Sequence, residues 1–307
     1  MDEVKKWIIS QPFQACDALA ERWRVPRIVA QLLLNRGLTP EQSAGDFLTP
    51  QLADLHQPEL LYGAQQAADA IACAIQVRKK IVLYGDYDVD GTTGIAILWH
   101  TIKLAGGDVA FYVPHRIEEG YGLNLAAALK LADEGAGLIV SVDCGVTAVE
   151  AADALRGREV DLIITDHHKP GAELPNALAV VHPGIDGLYP NPHLSGAGVA
   201  FKVAWALAQR VCGSLKVSPP YRELLKELLP LAALGTIADV VSLTGENRIL
   251  ARHGLQLLPQ SRIAGIQALI ESSGLNGAKI DCYDVRFKLA PRINAAGRMG
   301  HARHAVD

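Results

Sequence analysis

The stretch YGDYDVDG, residues 84–91, follows directly on the apolar run KIVL (80–83) and sets Asp86, Asp88 and Asp90 at every second position. Carboxylates this close repel one another unless something positive joins them. A strand-like run leads in, and the helix-like TTGIAILWHTIKLAGG (92–107) leads out. The three acids therefore sit at a strand-to-helix junction.

The same unit recurs along the chain. KIVLYGD (80–86), VAFYVPH (109–115), GLIVSVD (137–143), DLIITD (161–166) and ALAVVHP (177–183) read as strands, many of them rich in Val and Ile. NLAAALKLADEGA (124–136) and TAVEAADALRGR (147–158) join the 92–107 segment as helices, and glycines follow as C-terminal stops. Runs apolar on both faces and linked by helices predict an α/β fold, a mostly parallel sheet with helices on both faces. The loops at the carboxyl ends of its strands form the usual site. We expect a helical N-terminal segment over 1–63, the α/β core over 64–213 and a second helical part over 214–307. Within that last part, SLKVSPP (214–220) reads as a surface loop and HARH (301–304) as a linker helix.

At 307 residues, half of them hydrophobic, the chain can bury a full core. It contains no run of 18 apolar residues, and MDEVKKWIISQPFQ lacks the apolar stretch of a signal peptide, so a cytoplasmic protein without membrane contact is expected. The five cysteines are scattered without a CxxC pair, which argues against zinc or a redox motif. Net charge is −4, a weak argument against a nucleic-acid partner, but the distribution is uneven. From Arg248 onward there are nine Lys and Arg against four Asp and Glu. A carboxylate-rich site beside an anion-binding surface fits this pattern, and so does an uneven spread of solvated charge.

Three of the strands end on similar chemistry: GDYDVDG, VDCG and TDHH. A parallel sheet brings these ends side by side, so Asp86, Asp88, Asp90, Asp143, Asp166, His167 and His168 should converge. One Asp after a strand is commonly a helix cap or an Asx turn, but three strands doing this together is not explained by capping. The DxDxDG string also matches the start of a calcium loop, yet position twelve of that loop is Ile97 rather than Glu and a strand leads in, which excludes it. A mixed set of carboxylates and imidazoles suits two divalent cations, Mn²⁺ or Mg²⁺, and metal-assisted phosphate ester hydrolysis. If the backbone of DHH is extended, His167 and His168 face opposite sides and take different roles.

These segments resemble the DHH phosphoesterase family, and more closely its RecJ branch of single-strand-specific 5′ to 3′ exonucleases. AQLLLNRG, VLYGDYDVDGTTG, VPHRIEEGYGL, VSVDCGV, ITDHHKPG, LSGAGVAFKVAWAL, ALGTIADVVSL and LAPRINAAGRMG carry the resemblance, in order, over about 18–300. It implies Asp88 and Asp90 as ligands, one to each metal, with Asp86 in the same motif and Asp143 as the bridging carboxylate. His167 resembles the ligand histidine and His168 the neighbour that contacts the phosphate or assists proton transfer; Asp166 orients both. Asp239 in GTIADVV resembles a distant further ligand. Arg116, Arg292, Asn294 and Arg298 resemble substrate-contacting positions, and HLSGAGVAF (193–201) reads either as a helix N-terminus near the phosphates or as close helix packing.

The resemblance implies a metal-dependent exonuclease on single-stranded DNA in repair and recombination, with a helicase or single-strand-binding protein as candidate partners. Two other functions stay open: a DHH phosphoesterase on short oligonucleotides or small nucleotides, and a non-catalytic nucleic-acid-binding scaffold. The family's usual C-terminal DHH-associated and OB-like domains are not found in this sequence, so weak or absent exonuclease activity is expected of the chain alone.

Overall fold

In the computed structural model, which describes residues 8–39, 41, 44–115, 119–299 and 302–307, the chain divides after Asp54 into two units. The first holds α1 (Cys16–Trp23), α2 (Arg27–Asn35) and α3 (Ala44–Leu48), with Cys16, Leu19, Ala30 and Leu34 buried together. A left-handed residue, Arg24, stops α1, and Pro26 caps the start of α2.

The second unit carries the site. It opens with α4 (Ala64–Gln76), then β1 (Ile81–Gly85), α5 (Val89–Leu104), β2 (Val109–Tyr112), α6 (Leu125–Asp133), β3 (Leu138–Val142), α7 (Val149–Arg156), β4 (Asp161–Thr165) and β5 (Ala179–Val181). All five strands are parallel, in the order β2-β1-β3-β4-β5, with Ile81 opposite both Val109 and Leu138, Leu138 opposite Asp161, and Ile163 opposite Ala179. Every residue of β1 and β3 is buried, as expected of strands covered on both faces. Val82, Tyr84, Ile139, Leu162 and Ile164 pack with Ala128, Leu131, Ala152 and Leu155 of α6 and α7. The alternate residues point the other way, toward the face on which α4, α5 and α8 (Gly196–Cys212) contact the sheet. Each such aliphatic side chain, fully buried, contributes about 1.5–3 kcal/mol relative to exposure.

The order reverses between β1 and β3, because the chain leaves β1 toward β2 and returns to the other side of β1. At such a switch point the connections diverge to opposite faces and leave a crevice at the carboxyl ends of the two strands. Beyond the sheet, α9 (Pro219–Ala238) and α10 (Gly245–Leu257) pack on α8 and on each other. Then follow α11 (Ala264–Ser272), α12 (Cys282–Asp284), a π-helical turn over Val285–Leu289, α13 (Ala290–Met299) and α14 (Arg303–Val306). The core of this half includes a buried ion pair, Lys202 with Glu246, whose carboxylate also accepts from Tyr189 Oη and from His56 N (2.9 Å). Among the described residues no helix is long and apolar enough to cross a membrane.

Candidate metal centre

The β1 to α5 junction turns its three acids to three different uses. Asp86 directly follows β1 and is buried. Asp88 is the N-cap of α5, its Oδ1 accepting from Gly91 N at 3.0 Å. Asp90, in the first turn, is fully enclosed and accepts from the amides of Gly196 (2.6 Å) and Ala197 (2.9 Å). Both donors are the first residues of α8, so the positive end of a 17-residue helix faces this carboxylate. The helix comes this close because Gly196 and Gly235 have no side chain: a Cβ on the first would run into the Asp143 carboxylate, and on the second into Asp90.

Asp143 follows β3 in the left-handed region (φ 62°), with its amide donating to Thr165 O at 2.9 Å. Past β4, Asp166 organises the next loop. Its Oδ1 accepts from the amides of His167 (2.7 Å) and His168 (3.1 Å) and pairs with His168 Nδ1 (2.8 Å), while Oδ2 accepts from Val146 N (2.9 Å). This turn corrects the expectation that the two histidines face opposite sides. Because one carboxylate gathers both amides, the segment is folded rather than pleated, and the imidazoles lie 4.4 Å apart, both near Asp143. Their environments still differ, since the His167 side chain is 11% exposed and that of His168 41%.

Asp239 closes the cluster as the C-cap of α9. His167 Nε2 stands 3.1 Å from Asp143 Oδ1, 3.6 Å from Asp239 Oδ2 and 3.7 Å from Asp90 Oδ2. Yet neither His167 Nε2 nor Asp143 Oδ1, both buried, has a hydrogen-bond partner. Buried polar atoms are rarely left so, and a ring nitrogen surrounded by carboxylate oxygens at these distances fits a shared cation. Potential ligand atoms fall into overlapping sets within 4.8 Å of one another: Asp90, His167 and Asp239; Asp86, Asp88 and Asp143; and Asp143, His167 and His168. Asp143 is common to the last two.

Electrostatics agree with that geometry. Burial, and then the neighbouring Asp239 and Asp88 charges, raise the Asp90 carboxyl to about 8 against the pull of its two amides. Burial also lifts Asp239 to about 6, helped by Asp88, and pushes Asp143 well above the usual range, helped by Asp90, Asp88, Asp166 and Asp86. His167 falls to about 4, chiefly through burial and then through His168, which leaves its ring neutral, the form in which an imidazole can ligate a metal. For His168 the direction is upward, because it is hydrogen-bonded to Asp166. Burial alone would raise Asp166, but its bonds from His168 and Val146 hold it below the ordinary value.

The phosphate-contacting candidates are less gathered. Arg116 lies outside the described residues. Arg292 is exposed on α13 and spends Nη1 on Lys288 O at 2.7 Å. Asn294 of the same helix has a buried Oδ1 with no partner. Arg298 belongs to that helix by its backbone, and its side chain lies outside the described part of the structure. Three contributors were not foreseen in the sequence: the Gly196 and Ala197 amides, Tyr121, whose hydroxyl is 3.1 Å from the His168 ring nitrogens, and His182. His182 Nδ1 accepts from Gly184 N (2.9 Å), so its Nε2 carries the proton and donates to His168 O (2.8 Å). The HP dipeptide after β5 was the available signal for His182, but a lone buried histidine has no pattern.

A sequence model of the DHH family, N-terminal domain, matches residues 80–236, which is just over half of the chain. The chain belongs to the DHH family. Among curated members, the single-stranded-DNA-specific exonuclease RecJ of Bacillus subtilis (strain 168) is 42% identical over 303 residues, covering 98% of this DHH chain and 37% of the relative. The solved structure of RecJ from Thermus thermophilus in complex with Mn²⁺ matches 97% of the chain and 41% of its own, with a TM-score of 0.79 at 36% identity. A further structure, of exonuclease RecJ bound to manganese, matches 83% of the chain and 62% of its own, with a TM-score of 0.73 at 41% identity. This DHH chain spans less than half the length of curated relatives such as the Bacillus protein.

Proposed function

We propose that this chain is the catalytic portion of a metal-dependent exonuclease that hydrolyses phosphodiester bonds of single-stranded DNA. The observation that carries the reading is the buried, unpartnered contact between His167 Nε2 and Asp143 Oδ1, ringed by the carboxylates of Asp90 and Asp239. In this reading Asp90, Asp143, His167 and Asp239 hold one divalent cation, Mn²⁺ or Mg²⁺, and Asp86, Asp88 and Asp143 hold a second. Residues 64–213 supply most of these ligands, and 214–307 adds Asp239 and the basic phosphate-binding segment.

When bound, such a pair of cations supplies Lewis acidity for activating water and neutralising phosphoryl charge. The chain's own residues do the rest. His168, half exposed and with its proton affinity raised by the hydrogen bond to Asp166, is the proton donor offered to a phosphate entering the crevice. Tyr121 Oη steadies that ring, and His182 fixes its carbonyl. Arg292, with Arg116, Asn294 and Arg298 by resemblance, holds the strand's phosphates. Digestion from the 5′ end, a cytoplasmic setting and partnership with a helicase or single-strand-binding protein belong to the same reading by family resemblance alone.

The test is release of nucleotides from end-labelled single strands, duplexes and dinucleotides by the purified chain with Mn²⁺, Mg²⁺ or EDTA. Metal-dependent digestion of single strands in preference to duplex is expected, slow for this portion alone. Equal turnover with EDTA, or a preference for dinucleotides alone, would reject it.

A further inference from the structure

Tyr283 and Phe287 are 62% and 63% exposed, on successive turns of the helical run from α12 to the π-helical turn, with ring centroids 4.7 Å apart and planes tilted by 37°. Their neighbours Val285 and Leu289 are buried, so the helix is anchored on one side and presents both rings on the other. Along the sequence the flanking residues are mostly cationic: Lys279, Arg286, Lys288 and Arg292 against Asp281 and Asp284. Both acids are occupied. Asp281 caps α12 through the amides of Tyr283 (2.8 Å) and Asp284 (3.1 Å), and Asp284 is paired with Lys288 Nζ at 2.6 Å. Arg292 is exposed and donates Nη1 to Lys288 O, and Lys279 is exposed. Arg286 Nε donates to Ile237 O at 3.1 Å, two residues before Asp239, which ties this patch to the end of α9 beside the acidic cluster.

We propose that Tyr283 and Phe287 form a stacking platform for the bases of a single-stranded nucleic acid, with Lys279 and Arg292 on its phosphates. The platform lies outside the metal-holding cluster, and the proposal rests on the nuclease reading above. An aromatic pair among cations suits this ligand, because every base has a face to stack and every linkage a charge to meet. Charge complementarity selects the same surface: the chain as a whole is acidic, and its excess of Lys and Arg falls from Arg248 onward. An apolar protein surface covering the two rings would make no use of that positive charge.

The experiment measures binding of fluorescein-labelled dT20 to the 307-residue chain in EDTA, by anisotropy. The Tyr283→Ala/Phe287→Ala variant should bind about 10- to 100-fold more weakly, whereas Phe287→Trp should keep the affinity. Mn²⁺-dependent hydrolysis of bis(p-nitrophenyl) phosphate, which is too small to reach the platform, should be unchanged in the double variant. Cross-linking of 5-iodouracil-containing dT20 should map to Tyr283 or Phe287. Unchanged dT20 affinity, cross-links confined to other segments, or self-association of the unmodified chain that the double variant abolishes would overturn the proposal. If the double variant does not fold, the cross-link on the unmodified chain decides. Loss of the nuclease reading shows separately, as absence of ester hydrolysis in the unmodified chain while dT20 still binds.

Discussion

Asp143 Oδ1 and His167 Nε2 approach to 3.1 Å inside the crevice between β1 and β3 without forming a hydrogen bond. Asp143 is held there in a left-handed conformation (φ 62°) that Asn tolerates better than most residues. Asp143→Asn therefore removes the charge while keeping the backbone. We expect it to raise the melting temperature of the metal-free protein by relieving repulsion, to abolish the rise caused by Mn²⁺, and to lower hydrolysis about 1000-fold or more. Thermal melts with and without Mn²⁺ check this; a metal-induced rise equal to that of the unmodified chain would remove Asp143 from the ligand set.

Stability of the metal-free chain should fall as pH rises from about 6.5 to 8. Asp90 and Asp239 are raised from 3.8 to about 8 and about 6, so the folded state holds protons that the unfolded state has released, and that advantage disappears as pH passes the folded values. His167 acts oppositely: lowered from 6.5 to about 4, it adds stability as pH rises to 6.5 and is silent above. Urea melts across this range in EDTA should show the decline and Mn²⁺ should remove it; a flat profile in EDTA would contradict the repulsion described.

Gly235 lies within α9, where Ala is intrinsically favoured over Gly by about 1 kcal/mol. Here the added methyl meets the Asp90 carboxylate, so Gly235→Ala should instead destabilise by about 1–3 kcal/mol and weaken Mn²⁺ binding. Denaturant midpoints and a Mn²⁺ titration give the sign. Stabilisation would show that α9 does not approach Asp90 so closely.

Lys202→Met should cost about 3–5 kcal/mol, because it leaves Glu246 charged, buried and facing only the Tyr189 hydroxyl and the His56 amide. The double variant Lys202→Met/Glu246→Leu should recover part of that loss. Additive losses in urea unfolding would mean that the two charges are not coupled.

The sheet was legible because β1, β3 and β4 are largely apolar runs, and a run buried on both faces has few alternative readings. The strand-end acids were legible for the same reason, since parallel strands bring their ends together. Asp239 was not: it is one polar residue at the end of a helix, and only resemblance to the family picked it out. The clamp of α8 on Asp90 was half legible. Ser195 and its glycines mark a helix start, but nothing in local sequence says which carboxylate a distant helix will meet. The fold of the DHH loop was misjudged because alternation belongs to extended strands, and Asp166 ends the extension.

The acidic cluster draws on residues from Asp86 to Asp239, the last of them at the end of α9. On the proposed ligand set, a chain emerging from the ribosome lacks the complete set until nearly four-fifths of this sequence has been made. Affinity for the ion then arrives with closure of the longest loops, which are the slowest contacts to form. Uptake of metal by a refolding sample would therefore serve as a clock for the final step of assembly.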